Sequence, residues 1–412
     1  MSRTYDIVLL GATGFTGGLT AAELANRAPE HAKLALAGRN KAKLEATRDR
    51  LAAIAPRLAD AALVVADASD VAAMRELAAS TKVLVTTVGP YVLYGDDVVA
   101  ACAAEGTAYA DLTGEPEFVD RTYIAHHETA LASGARLVHC CGFDSIPHDL
   151  GAQFTVEQFA GDAPLHVRGY VHAVGSTFSG GTLHSALTAF GRVRQTLATA
   201  KERVAVEKTR QVDDGRRART ETMKPHRALG YWAAPMPTVD PVIITRSARA
   251  LPEYGPDFSY GHYAAIKRLP VAVGGAVAVG TLFAGAQIPP VRRALGRITS
   301  PGDGPSEKQL DTATFWVRFV GESGGRRVVT EVAGGEPGYR ETSRMLAESG
   351  LSLAFDDLPD VAGQVTTAQA MGPALRERLI RSGMTFRVLE GGNADGSASG
   401  EMQDSSHVRS AR

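Results

Sequence analysis

Residues 7 to 17 read Ile7-Val8-Leu9-Leu10-Gly11-Ala12-Thr13-Gly14-Phe15-Thr16-Gly17, an apolar run that turns into three glycines spaced three apart. An Ala-rich segment, Leu19 to Arg27, follows with helical character. A buried strand, a glycine turn and a helix in this order open a βαβ unit of the dinucleotide-binding kind. Gly11 is expected at the tight turn, Gly14 where backbone amides approach a pyrophosphate, and Gly17 where helix and strand pack closely. Thr13, Phe15 and Thr16 lie between these glycines, at a helix N-terminus whose partial positive charge suits phosphate. The G-x-x-G-x-x-G spacing is a variant common among NADP-binding Rossmann proteins, although glycine turns also arise for structural reasons alone.

The second apolar run, Lys33 to Arg39, ends on a cation where NAD-specific proteins carry an acid. An acid there bonds the ribose 2′-hydroxyl and repels a 2′-phosphate, whereas Arg39 can pair with that phosphate, helped by Asn40 and Lys43. The competing reading makes Arg39 and Lys43 a solvated face of a helix over Lys41 to Ala53. Together with the glycine loop the spacing predicts NADPH as cofactor. A third run, Ala62 to Asp67, brings Asp67 either toward the adenine or to the cap of a helix starting near Asp70. The fourth, Val83 to Val88, enters a turn at Val88, Gly89 and Pro90 that faces the nicotinamide at the topological switch point. Further strands are expected over Ala108 to Leu112 and Arg136 to Cys140. Six strands alternating with helices give an α/β class, a Rossmann-type doubly wound parallel sheet.

At 412 residues, 44% hydrophobic and 22% charged, the chain can bury a large core and form two domains. A net charge of −1 gives no electrostatic case for nucleic acid. The three cysteines, Cys102, Cys140 and Cys141, make no disulfide framework, and a reducing cytoplasm is the simplest setting. With no C-x-x-C or H-E-x-x-H spacing, metal catalysis has little support and no metal is expected. The first strand begins at once, so no secretory signal is expected.

The second domain is expected over residues 151 to 350, after a cofactor domain of 1 to 150, as an α+β unit with a mixed or antiparallel sheet. Ala313, Phe315, Val317 and Phe319 alternate with polar residues, and Arg327 to Val332 offers a matching strand across a turn at Gly321 to Gly325. Residues 351 to 389 are expected to form C-terminal helices returning to the first domain, and 390 to 412 a disordered Gly/Ser-rich tail. Leu269 to Val291 contains no charged residue and is flanked by Lys267, Arg268, Arg292 and Arg293. It fits a membrane-surface segment at the inner face of the plasma membrane, or an Ala/Gly-rich helix buried in the second domain or at a homodimer seam; a clean span fits less well.

Gly11 to Gly17, Ala37-Gly38-Arg39, Val88-Gly89-Pro90-Tyr91 with Tyr94-Gly95, Asp111-Leu112-Thr113-Gly114-Glu115 and Gly142-Phe143-Asp144-Ser145-Ile146-Pro147 together resemble the saccharopine dehydrogenase-like oxidoreductases. The nearest branch is the trans-acting enoyl reductases that serve lipid polyketide synthases. The resemblance continues through Ser179 to Ser185, Gly338 to Thr342 and Ala370-Met371-Gly372, so it spans nearly the whole chain. It implies an NADPH-dependent reduction of a C=C bond in a lipid or polyketide intermediate, carried as an acyl thioester. Amino-acid (CH-NH) chemistry of the saccharopine type would call for a cationic cluster that the Gly/Ser-rich stretch Val174 to Thr182 does not supply. An NADPH-binding sensor or scaffold without turnover is the reading from another class. Two residues depart from the family pattern: His148, where a smaller residue is usual, and Thr367, where Pro is expected after Thr366.

Hydride addition to an enoyl thioester produces an enolate that needs electrophilic stabilisation and then a proton. Tyr91, Tyr94 and His184 are able to donate; Asp144 can orient a donor and Ser145 can bond the thioester carbonyl. Tyr91 and Tyr94 can equally pack under the cofactor, and Asp144 or Ser145 can instead cap the helix that begins at Pro147.

Overall fold

In the computed structural model, which describes residues 3–161, 163–175, 187–188, 190–210, 215–288, 290–291 and 305–392, the opening run forms β1 (Tyr5–Leu10) at the centre of a seven-stranded sheet. β2 (Leu34–Gly38) and β3 (Ala62–Val65) lie on one side of it; β4 (Thr81–Thr86), β5 (Ala108–Asp111) and β6 (Arg136–Val138) lie on the other. Every pair is parallel, and the order reverses between β1 and β4, which places the switch point there. Burial on both faces explains the unbroken apolar character of β1 and β4: Ile7, Val8, Leu9, Val83, Leu84 and Val85 are all enclosed.

A seventh strand closes this sheet from far away in sequence. Gly363–Val365 pairs in parallel with β6. The preceding helix, Thr342–Phe355, packs across β1, β4 and β5, and Gly350 meets Val85 at a distance that leaves no room for a β-carbon. The return to the first domain therefore begins near 342 rather than 351. It is also not the last step, because Thr385–Glu390 pairs antiparallel with a strand of the second sheet, where only helices were expected.

The second sheet has eight strands and mixed direction. Its spine is β7 (Leu165–Val174), flanked antiparallel by β12 (Thr314–Ser323) and in parallel by β11 (Asp257–Ile266), which also pairs with β8 (Arg217–Thr220) and β10 (Tyr231–Pro235), with β9 (His226–Ala228) beyond β10. β12 and β13 (Arg326–Gly334) form the expected hairpin, with Phe315, Val317 and Phe319 buried. Gly324 and Gly325 both take positive φ, +56° and +82°, as a two-residue hairpin turn requires. The helix Ile146–Val156 packs on β12 and β13, and its Gly151 sits so close to Phe319 that an added β-carbon would lie 2.3 Å from the ring. This helix belongs to the second domain, so the crossing falls at residues 142 to 145 rather than at 150.

The apolar segment forms the helix Leu269–Ala286, seated on its parent domain near its ends and otherwise bare. Val271 and Val277 are 60% and 63% exposed, so the chain itself does not bury this helix in its own core.

Candidate NADP site and inter-domain cleft

The glycine turn is built as an anion cradle. Gly11 adopts φ +90°, and an added β-carbon would lie 2.7 Å from the Thr87 hydroxyl; at Gly17 it would lie 2.0 Å from the Gly11 carbonyl oxygen. Gly14 is exposed and is the N-cap of the helix Phe15–Arg27, whose start has no side-chain cap and no acid in its first turn. A helix N-terminus left without a local acceptor and fronted by open space fits a phosphate. Thr13 lies beside the end of β2, Phe15 packs edge-on against Tyr339 with centroids 5.2 Å apart, and the Thr16 carbonyl accepts from Thr20 and Ser343.

Arg39 follows β2 directly, with a largely exposed side chain 3.9 Å from Asp67. Asn40 caps the helix Lys41–Ile54 by accepting from the Lys43 amide at 3.0 Å, so its oxygen already has a structural role; the Lys43 side chain is exposed. Asp67 does not cap the next helix. Asp70 does, accepting from Ala72 and Ala73, while Asp67 accepts from the amide and hydroxyl of Ser69. Those two bonds, aided by Arg39, hold its carboxyl below the usual range against a small burial penalty.

After β4, Thr87 and Val88 lie against the glycine turn, with Thr87 donating to the Gly11 carbonyl at 3.2 Å, and Gly89 and Pro90 follow, Gly89 packed against the Tyr91 ring. The Glu115 carboxylate, which the sequence motif does not mark as special, accepts from the amides of Tyr91 and Val92 at 3.1 and 2.8 Å. Tyr91 is buried. Its hydroxyl donates to the Thr86 carbonyl at 3.1 Å and accepts from the Leu112 amide at 3.2 Å, and burial together with Asp111 drives its pKa well upward. A phenol bound to main chain on both sides has no proton free for a substrate. Tyr94 is exposed at the end of the same short helical turn. His184 lies outside the described residues.

Beneath β5 sits a buried network that sequence reasoning missed. Asp111 accepts from Tyr109, His139, Thr113 and Cys140, and His139 reaches Thr122 with its other nitrogen. Its members come from separate strands and helices, so no local spacing announces it. It braces the loop Leu112 to Glu115 from below.

The crossing segment joins the two domains. Asp144 is exposed there, and its Oδ2 lies 2.9 Å from where a β-carbon on Gly114 would stand. The protein around it and the charge of Asp240 push its carboxyl up to about 7, a shift that its access to water tempers. Ser145 holds the N-cap position of Ile146–Val156, but neither it nor Asp144 caps that helix. Its hydroxyl is buried beside Asp240 with no well-aligned hydrogen bond among the described residues.

His148 is one turn further along the same helix. It meets Asp240, the first residue of the helix Asp240–Ala250, and His262 of β11, all fully buried. Burial holds both imidazoles below their ordinary range, His262 down to about 4, against the attraction of Asp240. Thr367, the second departure, does more than shape a turn: its hydroxyl donates to buried Asp149 at 2.7 Å, beside Ser247 and the Ala368 amide.

Residues 7–138 match the family model for the saccharopine dehydrogenase NADP binding domain. The chain is 36% identical to a trans-acting enoyl reductase of Mycobacterium ulcerans, covering 93% of this chain and 97% of that protein. It is equally similar, at 36% identity with 93% and 97% covered, to a trans-acting enoyl reductase of Mycobacterium tuberculosis. Among solved structures, apo saccharopine dehydrogenase (L-Glu forming) from Saccharomyces cerevisiae superposes with a TM-score of 0.55 at 13% identity, over 94% of this chain and all of that one, which speaks to fold alone. The glycine cradle, the cation after β2 and near-full-length similarity converge: the chain belongs to the trans-acting enoyl reductase family of NADP-dependent oxidoreductases, built on the saccharopine dehydrogenase fold.

Proposed function

We propose that this oxidoreductase reduces the C=C bond of an enoyl thioester presented by a polyketide synthase, with lipid precursors as the substrate class. The observation that carries the reading is the similarity over nearly the whole length of both chains to proteins named trans-acting enoyl reductases, second domain included. NADPH, when bound, supplies the hydride to the β-carbon. The loop Gly11 to Gly17 holds the pyrophosphate by main-chain amides, and Arg39 pairs with the 2′-phosphate. Val88 to Pro90 and Thr113-Gly114 border the nicotinamide, and Glu115 keeps the first of these loops in place through the Tyr91 and Val92 amides.

The α-carbon then takes a proton. Asp144 is the group suited to deliver it, since a carboxyl raised to about 7 keeps its proton on a substantial share of molecules near neutral pH and lies against Gly114. Tyr94, which is exposed, is left with contacts to the thioester arm, whereas the buried Ser145 hydroxyl faces Asp240. Support for this assignment is the position and raised pKa of Asp144 and the commitment of Tyr91 to main chain.

The exposed helix Leu269–Ala286 is proposed to lie on an anionic membrane surface at the cytoplasmic side. Its 18 residues span about 27 Å, short of the ~30 Å hydrocarbon core, and cations flank it at both ends, which favours lying over crossing. The deciding experiment follows NADPH oxidation on enoyl and imino substrates side by side. Consumption with an enoyl pantetheine or carrier-protein thioester supports the reading; turnover only with imino acids, or tight NADPH binding with no turnover on either, overturns it.

A further inference from the structure

We propose that His148, Asp240 and His262 form a binding site for a divalent first-row transition ion such as Zn2+. The three come from three elements and present one donor atom each, all within 4.8 Å of one another. Nδ1 of His148 stands 3.2 Å from Oδ1 of Asp240, and Nε2 of His262 stands 3.6 Å from Oδ2. A tetrahedral shell of ~2.0 Å bonds spaces its ligands about 3.3 Å apart, so the carboxylate is already at ligand distance from both rings. Only the two imidazoles have to draw together. Two imidazoles and one carboxylate are donors that suit Zn2+, Co2+ or Ni2+ rather than Mg2+ or Ca2+.

The second observation is a convergence of orphaned polar atoms. Both ring nitrogens of His148, Nε2 of His262, Oδ1 of Asp240 and Oγ of Ser145 are buried, and none has a well-aligned hydrogen-bond partner among the described residues. Leaving polar atoms unsatisfied in one spot is costly, and a bound cation takes one nitrogen of each ring and a carboxylate oxygen at once. A firm donor to Asp240 is the Thr238 hydroxyl, which bonds Oδ2.

The surroundings orient the donors as metal sites require. Nδ1 of His262 is held 3.0 Å from the Tyr260 hydroxyl, which can accept its N–H and leave Nε2 as a bare lone pair facing Asp240. Phe143 packs edge-on against His148 at 5.1 Å, fixing that ring. Three protein ligands leave one tetrahedral position open, the arrangement of sites that bind an exchangeable oxygen ligand.

The test reads metal directly, independent of reductase activity. Protein stripped with a chelator is dialysed against Zn2+ or Co2+, and the retained metal is counted by mass spectrometry. A single ion per chain is expected, with visible d–d bands for Co2+, and His148→Leu and His262→Leu should each abolish it while NADPH binding and circular dichroism are kept. If those variants fail to fold, Tyr260→Phe removes only the orienting hydroxyl and should weaken affinity about tenfold or more. No metal above the buffer blank in the wild-type chain, or variants that hold the ion as tightly as wild type, overturns the proposal.

Discussion

The hydroxyl of Tyr91 accepts the backbone amide of Leu112 at 3.2 Å, so a side chain from the segment after β4 completes the backbone leaving β5. The same oxygen donates to the Thr86 carbonyl. Tyr91→Phe should therefore destabilise the fold by roughly 1–3 kcal/mol, because two buried main-chain groups lose their partner. Turnover should stay near wild type once the protein is folded. Thermal unfolding and steady-state rates on the same samples check this; a large loss of kcat without loss of stability would restore Tyr91 as a proton donor.

Asp144→Asn is expected to lower kcat by about 100-fold, the lower end of what a positioned general acid contributes. The sign of the pH dependence follows from the raised pKa. Asp144 carries its proton below about 7 and loses it above, so wild-type kcat should fall as pH rises through that range, and the falling limb should vanish in the Asn variant. A pH profile from 5.5 to 9 reads both; an unchanged limb in the variant would assign it to another group.

Arg39→Asp places an anion where the 2′-phosphate is proposed to bind, next to Asp67. Affinity for NADPH should drop by about 30-fold or more, corresponding to roughly 2 kcal/mol for a charge-assisted contact, with NADH little affected. Nicotinamide fluorescence titrations with both cofactors measure it. Equal losses for the two would show that Arg39 does not read the phosphate.

Gly17→Ala sets a β-carbon 2.0 Å from the Gly11 carbonyl, a main-chain atom that cannot swing away. The glycine turn and the helix Phe15–Arg27 must separate, at a cost of about 1–3 kcal/mol. NADPH binding should fail before the fold does, seen as a lost fluorescence titration alongside a lowered Tm.

Val271→Asp with Val277→Asp should leave the fold intact, since both side chains face solvent, while abolishing co-sedimentation with anionic phospholipid vesicles. Wild-type protein that ignores such vesicles would end the membrane proposal. A dimer by light scattering that the double variant disperses would assign the helix to a second copy of the chain instead.

The cofactor half was legible because its signals are local. Gly14 and Gly17 act on the Gly11 carbonyl a few residues back, Gly11 turns the chain against Thr87 at the end of the neighbouring strand, and Arg39 is placed by the strand just before it. The cleft was legible only as a motif. Ser145 sits where a helix cap belongs yet does not cap, because its hydroxyl is turned toward Asp240, about a hundred residues away in the chain. His148, Asp240 and His262 share no spacing at all; β11 and two helices bring them together, and only the finished sheet puts them in one place. The strand Gly363–Val365 is too short for alternation to declare it, and its partner β6 lies far back in the chain. The hairpin of β12 and β13 was readable because period-two burial and two adjacent glycines both act at close range.

The last fifty described residues weave through both sheets, first extending the cofactor sheet beside β6 and then adding an edge strand to β13. A nascent chain on the ribosome consequently carries its glycine loop for most of its synthesis with the sheet's far edge bare. Cofactor affinity should therefore mature late, and a clip anywhere between 342 and 390 should silence a nucleotide site more than three hundred residues upstream.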